Sequence, residues 1–411
     1  MVIKTLGEVA LYINGRAFKS TEWEKTGLPI IRIQNLTNKS KGFNRTTQIH
    51  EDKYLVENGD LLFAWSASLG AHIWYGEKAW VNQHIFKVVP FQGIDKMYLY
   101  YYLTHIVDEL YSKTHGSGMV HITQKKFKNT KIPLPKLEDQ IKIVNNVESL
   151  FSKLDEAKEK VESVLESSEN RKAAVLHKAF TGELTKKWRE ANGEILASSN
   201  SSIDPKDLLN KDQEPYEIPD SWNWSTLGKV CGFKGGGTPS KSNPLYWNGD
   251  IPWASIKDVK GDELFSTTDF ITEEGLNNSS SNLCEKDNLI LATRISPGKS
   301  IISRIDVAIN QDLKIVETEL NVEFLHYYFK SIENIFLSKS SGSTVQGINL
   351  TNVKNTKIPV PSREEQIVIT QKVKTILEKE NLNEVLCKDL LGKIELTRKV
   401  ILSSIFRGTI N

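Results

Sequence analysis

One eight-residue segment occurs twice in this chain: Lys128-Asn129-Thr130-Lys131-Ile132-Pro133-Leu134-Pro135 returns as Lys354-Asn355-Thr356-Lys357-Ile358-Pro359-Val360-Pro361, 226 positions later. The register then holds without a gap, so that Glu138, Gln140 and Ile141 fall on Glu364, Gln366 and Ile367, and Phe180-Thr181-Gly182 on Phe406-Arg407-Gly408. Upstream the likeness survives in islands whose offset drifts between 221 and 228, such as Leu6-Gly7-Glu8-Val9 with Leu227-Gly228-Lys229-Val230, and Val81-Asn82-Gln83 with Ile309-Asn310-Gln311. Pro29 pairs with Pro252 in the same way, and Leu99-Tyr100-Tyr101-Tyr102 with Leu325-His326-Tyr327-Tyr328. A fixed offset constrains architecture more than any single motif, because duplicated sequence has to build the same supersecondary unit twice. The chain therefore reads as two copies of one unit with matched ends and divergent middles.

The parts follow in order: a first domain at 1–135, a long helix at 136–185, a linker at 186–217, a second domain at 218–360 and a second long helix at 361–411. The linker is marked by Ser198-Ser199-Asn200-Ser201-Ser202 and unpatterned charges, and closed by Pro215 and Pro219. After Pro135 apolar residues recur at helical spacing through Ile141, Val144, Val147, Phe151, Leu154, Val161, Leu165, Val175, Leu176 and Phe180. The partner segment repeats the pattern through Ile367, Val373, Leu377, Leu386, Leu390, Leu391, Ile394, Ile401, Leu402 and Ile405. Proline before each start and Gly182 or Gly408 after each end are the matching boundary signals.

A helix of about 45 residues at about 1.5 Å rise is a rod of about 65 Å, which has to pack along its length. An antiparallel coiled coil between the two equal helices buries both stripes, with pseudo-two-fold symmetry; the alternative is that each helix packs on its own domain. Lys158 and Glu380 interrupt a strict heptad. The domains instead carry short β-like runs, at 29–33, 60–64 and 289–292, between Gly, Asn, Ser and Pro, with one helix expected at 96–113 and its counterpart at 321–338. The fold class expected is α+β: two mixed α/β domains, each followed by a long helix.

Composition excludes several classes. With 411 residues, 39% hydrophobic and 25% charged, the chain is too long for one ordinary core and too apolar to be disordered. Cys231, Cys284 and Cys387 are far apart and odd in number, which signals neither a disulfide framework nor a metal knuckle and fits a reducing cytoplasm. The start lacks a basic segment followed by an apolar run, and no stretch approaches about 20 apolar residues, so a soluble cytoplasmic protein is expected, with no membrane partner. The formal charge of +2 hides an asymmetry: residues 1–135 hold 17 Lys and Arg against 11 Asp and Glu, whereas 218–360 hold 14 against 16. The first domain can use general attraction to a polyanion. The second would need local basic loops.

The residues Trp224-Ser225-Thr226-Leu227-Gly228, Gly235-Gly236-Gly237-Thr238-Pro239-Ser240, Tyr246-Trp247, Gly249-Asp250-Ile251-Pro252-Trp253 and Asn310-Gln311 resemble the target recognition domain of type I restriction-modification specificity subunits. So does the ending Ile358-Pro359-Val360-Pro361, leading through Glu365-Gln366 into a long helix. The first unit is similar but carries Asn14-Gly15-Arg16-Ala17-Phe18-Lys19-Ser20 and Trp23 without the triple glycine. The resemblance covers essentially the whole chain. It implies a non-catalytic subunit that reads a bipartite, asymmetric site in double-stranded DNA and joins two adenine-N6 methyltransferase subunits, with two motor-nuclease subunits as an optional addition. S-adenosylmethionine, ATP and magnesium would then belong to those partners, and this chain would hold no cofactor.

Motifs that suggest chemistry have plainer readings. Asn243-Pro244-Leu245-Tyr246 evokes the base-holding loop of amino-methyltransferases, yet no glycine-rich cofactor turn sits at suitable spacing. Gly235 to Lys241 lacks the Gly-Lys-Ser/Thr ending of a nucleotide loop, leaving a DNA-phosphate cradle or a structural turn. Asp250, Asp258 and Lys260 only loosely match metal-dependent nucleases, and the histidines form no metal spacing. For base reading, Arg suits guanine, and Asn or Gln suits adenine. The loop candidates are Asn14, Arg16, Lys19, Ser66, Ser68, His72, His115 and Ser117 in the first domain. In the second they are Thr238, Lys241, Arg294, Lys299, Ser343 and Gln346. Asn82-Gln83 and Asn310-Gln311, present in both units, suit a shared structural or backbone-contact role. The competing functions are a self-contained methyltransferase or nuclease, active alone, and a protein-binding scaffold with no sequence-dependent footprint.

Overall fold

The repeated Lys-Ile-Pro-x-Pro segment is a strand that closes each domain against its own beginning. Lys131–Leu134 pairs antiparallel with Val2–Thr5, and Lys357–Val360 pairs identically with Asn223–Thr226. A glycine follows each first strand, Gly7 or Gly228, where an added Cβ would lie 3.3 Å from Lys128 or 2.8 Å from Lys354. This close approach accounts for the Leu-Gly island in both copies. The structure is a computed structural model that describes residues 2–38, 40–112, 122–193, 205–342 and 346–407.

The chain divides into two compact units, 1–163 with 387–411, and 164–386. In the first, one antiparallel sheet has the order Ala10–Asn14, Ile85–Pro90, Leu61–Ala64, Gly70–Ile73. A second, mixed sheet has the order Asn44–Thr46, Leu28–Ile31, Ala79–Val81, Leu55–Val56. The second unit repeats the plan with sheets of five and four strands. Leu61–Ala64 and Leu289–Ala292 are buried at every position because both faces of these central strands are covered, which is why they read as unbroken apolar runs. The run at 29–33 is shorter than expected: the strand stops at Ile31 and a helical turn begins at Ile33.

The expected domain helices form at Lys96–His105, continued by Val107–Ser112, and at Val322–Ser338. Asp95 and Asn321 cap them, accepting from the amides of Tyr98 and Phe324 at 2.8 Å. The duplicated glutamines join these caps to the long helices. Gln140 and Gln366 are buried; each accepts from the cap amide at 2.8 Å and donates to the carbonyl of Pro135 or Pro361 at 3.0 Å. A buried amide that satisfies both its ends fixes the angle at which each long helix leaves its domain.

The second long helix, Arg363–Phe406, runs unbroken for 44 residues. The first is divided into Leu137–Glu166 and Ser168–Phe180. At the break the Val164 carbonyl accepts from the Ser167 hydroxyl and from the Arg171 guanidinium, each at 3.2 Å. Side chains competing for a helical carbonyl are a recognised cause of such interruptions.

The helices pack antiparallel within each unit, numbers rising on one and falling on the other. In the first unit Asp155 pairs with Arg398, and Lys158 with Glu395 at 3.1 Å, while Val144, Val147, Leu402 and Ile405 share one buried core. In the second, Arg171 pairs with Glu380 at 2.8 Å and Lys172 with Glu384 at 2.6 Å, above a core containing Leu176, Ile369, Val373 and Leu377. Lys158 and Glu380, the seam interruptions, are thus matched across the pair. Each helix begins in the unit of its own repeat and ends in the other: Phe180 packs on Phe324 and Tyr328, and Phe406 on Tyr98 and Tyr102.

The segment read as a linker is ordered at both ends. Lys186–Ala191 is helical, and Arg189 donates at 2.6 Å to Glu365, whose side chain is fully buried and also accepts from Thr185 and from the Trp222 indole. Residues 194–204 lie outside the described set.

Candidate nucleic-acid interface

Both units build the same rim from equivalent loops, although their sequences differ. At its centre is the Asn-Gln turn between two strands, Asn82-Gln83-His84 or Asn310-Gln311-Asp312. A glycine lies against it: a Cβ on Gly15 would be 2.1 Å from the Asn82 carbonyl oxygen, and one on Gly236 would be 2.3 Å from that of Asn310. The next amide bonds the turn in each case, Arg16 to Val81 O at 2.9 Å and Gly237 to Ile309 O at 3.0 Å. A third loop matches bond for bond. Trp65 N donates to His84 O and Thr293 N to Asp312 O; Ser68 N donates to Ser66 O and Ser296 N to Arg294 O. A fourth segment closes it, Ile122 N donating to Trp65 O and Ile348 N to Thr293 O. Ala67 and Ile295, the tips of the third loop, both have positive φ, 56° and 68°.

The same bonds hold the triple glycine in place. The Gly237 amide is committed to Ile309, its carbonyl accepts from the Trp253 indole at 3.1 Å, and Gly236 has no room for a side chain. The segment is a closely packed turn whose conformation depends on missing side chains. Asn243 caps the short turn Pro244–Tyr246, accepting from Leu245 N at 3.1 Å. Asp258 is buried and accepts from the amides of Ser255 and Thr268, as a turn-forming carboxylate, while Asp250 is exposed. Among the described residues no His, Cys, Asp or Glu group is placed to hold a metal, and no helix is long and apolar enough to cross a membrane. All three cysteines are free, and burial pushes the thiols of Cys231 and Cys284 up to about 12.

Of the candidate base readers, Asn14, Arg16, Ser66, Ser68, Thr238, Arg294 and Gln346 belong to the segments that build this rim. In the first unit Asn14 accepts from the Trp65 indole at 2.9 Å, and the Arg16 guanidinium pairs with Glu22 at 2.7 Å and lies over the Phe18 ring. That bond to Arg16 holds the Glu22 carboxyl below its ordinary value. Lys19 is exposed and Ser68 half-buried, whereas Ser66 is buried at 3% exposure and does not present its hydroxyl. His72 lies in the strand Gly70–Ile73, away from the turn, and burial lowers its pKa. His115, Ser117 and Ser343 lie outside the described residues.

In the second unit Thr238 donates to Gln311 Oε1 at 2.5 Å, Arg294 pairs with Asp312 at 3.2 Å, and the Gln346 carbonyl accepts from Ile295 N at 2.8 Å. Lys241 and Lys299 are exposed. Burial lowers the Lys314 pKa; Asp312 opposes this and Arg294 adds to it.

Several rim residues carry no motif. His84 sits 4.9 Å from the Trp65 ring, and Arg32 and Gln34 line a cavity of about 260 Å³ beside the Asn82 turn. Asp312 is the hub of the second turn. Its signal was adjacency to the duplicated Asn-Gln island, where the two copies part company as His84 and Asp312.

Residues 1–167 and 219–387 match the type I restriction modification DNA specificity domain. The EcoBI specificity subunit of Escherichia coli is 27% identical over 98% of this chain and 85% of its own length. The MjaVIII specificity subunit of Methanocaldococcus jannaschii is 27% identical over 89% of this chain and 83% of its own. Among solved structures, the fold is similar to the HsdS subunit from Thermoanaerobacter tengcongensis, with a TM-score of 0.60 and 19% identity over 99% of this chain and 96% of that one. A chain from a study of complex assembly and conformational transition in a type I R-M system gives a TM-score of 0.66 and 19% identity over 99% of this chain and 97% of that one. With a match in both repeats, the chain belongs to the type I restriction-modification DNA specificity family.

Proposed function

We propose that this chain is the DNA-reading subunit of a type I restriction-modification enzyme, each unit reading one short half-site through its four-loop rim. What supports this is the equivalence of the two rims in backbone and their difference in side chains. Asn14, Arg16, Trp65 and His84 stand where the second unit has Gly235, Gly237, Thr293 and Asp312. One scaffold carrying two chemistries suits an asymmetric bipartite target. The long helices set the separation of the half-sites, with centres about one helical turn, about 10 bp, apart. Methyl transfer belongs to two adenine-N6 methyltransferase subunits using S-adenosylmethionine. Where restriction is present, cleavage belongs to two motor-nuclease subunits using ATP and magnesium.

The test is methylation mapping of cells expressing this chain with its cognate methyltransferase. A motif of two short half-sites flanking unread bases is expected. Random methylation would remove the reading, and cutting or methylation by the purified chain alone would favour the self-contained enzyme instead.

A further inference from the structure

The Asn310 turn does more than shape the second rim, because its side chains converge on one carboxylate. Asp312, with its side chain only 10% exposed, accepts from Asn310 Nδ2 at 3.0 Å and from Gln311 Nε2 at 3.4 Å, and its own amide donates to Asn310 Oδ1 at 3.0 Å. Asn310 is buried, so the carboxylate is fixed from beneath. On its outer side lies the Arg294 guanidinium, 3.2 Å away and half exposed. The Arg294 backbone is held as firmly: Arg294 bridges Gly347, Ser296 N bonds its carbonyl at 2.8 Å, and the amides on either side, Thr293 and Ile295, bond Asp312 and Gln346.

The adjoining Ile295 is 49% exposed with φ at 68°. A β-branched residue in this region is a real outlier and persists only where its surroundings impose it. The strain keeps Arg294 and an apolar tip side by side at the surface.

We infer that Arg294 is the residue with which the second unit reads a guanine edge, and that Asp312, backed by Asn310, is its positioning residue; the inference rests on the DNA-reading role proposed above. A phosphate contact needs positive charge and little orientation, and a neighbouring carboxylate weakens it. A bidentate contact to guanine O6 and N7 needs an oriented guanidinium, and the ion pair at 3.2 Å with a buried carboxylate draws Arg294 Nη1 to a set place while the rest of the fork stays exposed. Ile295, with nothing to offer a phosphate, suits a base edge beside it, such as a thymine methyl. In the first unit Ser66, buried, stands in the place of Arg294 and His84 in that of Asp312, so its half-site is read by other means.

The test uses the full chain with its methyltransferase. Exchange of residues 1–135 for another such domain first assigns each half-site to a unit. Arg294→Ala should then relax one G·C position in the second unit's half-site, lowering discrimination about 5- to 150-fold, and leave the other half-site unchanged. Asp312→Asn, which keeps the shape and removes the charge, should lose the same discrimination. At the same time it should bind scrambled duplex more tightly with a steeper salt dependence, since the released guanidinium becomes free for phosphate. A merely structural Asp312 would weaken both duplexes alike. Uniform weakening by Arg294→Ala with an intact motif would overturn the inference, as would a second half-site that specifies no G·C pair. Arg294 is half exposed, so its variant should fold even where Asp312→Asn does not. Absence of any motif with the wild-type chain would remove the underlying reading instead.

Discussion

At the residue scale, the strongest polar commitments of the second unit lie under its surface. Glu365 is fully buried and accepts from Arg189, Thr185 and Trp222, while Arg189 also donates to Gly182 O at 2.6 Å and lies over the Trp222 ring. Removing one partner of a buried ion pair leaves an uncompensated charge, whereas the pair itself contributes little net stability. Glu365→Ala should therefore destabilise the second unit by about 3–5 kcal/mol, read as a shift of its urea midpoint. A shift like that of an exposed pair, under about 1 kcal/mol, would show that Arg189 finds water instead.

Asp262 makes a prediction about pH. His326 Nε2 lies 3.3 Å away and Lys330 Nζ 2.6 Å, and His326 first, then Lys330, hold the Asp262 carboxyl well below the usual carboxylate range against the opposing effect of burial. A carboxyl depressed in the folded state contributes stability that is complete above its unfolded value, about 3.9, and is lost as pH falls towards the lower folded value. Asp262→Asn should flatten the loss of second-unit stability between about pH 5 and pH 2. Parallel acid limbs for variant and wild type would mean that the solvent, which reaches nearly half of this side chain, screens the pair completely.

At the scale of elements, short loops are held by backbone contact rather than by their own propensity. The strand ending at Gly235 turns directly against Asn310, and Gly236→Ala would place a Cβ inside that carbonyl. The backbone has to shift, at about 1–3 kcal/mol, and with it the rim. Gly42, with open space where its Cβ would be, is the control. Equal thermal midpoints for Gly236→Ala and Gly42→Ala would show that the turn gives way freely. The long helices follow the same logic of tertiary support: their seam alternates apolar clusters with matched charges such as Arg171 with Glu380, an arrangement that sets register more than it adds stability.

For the whole molecule, the helices carry the proposed measuring role. The proposal rests on the ungapped match between the helical segments of the two repeats. Adding about one turn to both helices should lengthen the unread spacer without altering either half-site. A methylome with an unchanged spacer would count against that role, and a change in both half-sites on exchange of 1–135 would deny the two readers their independence.

The duplication, the long helices and the α+β class were legible in the chain because each depends on local, periodic signals: a fixed offset, a 3.6-residue period and boundary residues. Gln140 and Gln366 announced themselves by recurring, although only folding showed each tying a helix to a cap 45 positions away. The break at Ser167 came from side chains that capture one helical carbonyl, whereas the ordered start of the linker and the crossing of each helix into the other repeat's core came from tertiary packing, since Phe180 meets the same kind of apolar surface in either unit. The rim was hidden for a related reason. Its residues converge from four loops, and Asp312, Ile295 and His84 matter through hydrogen bonds and positive φ that no spacing announces. Sequence determined what is repeated along the line of the chain; the tertiary structure alone decided which distant side chains share a surface.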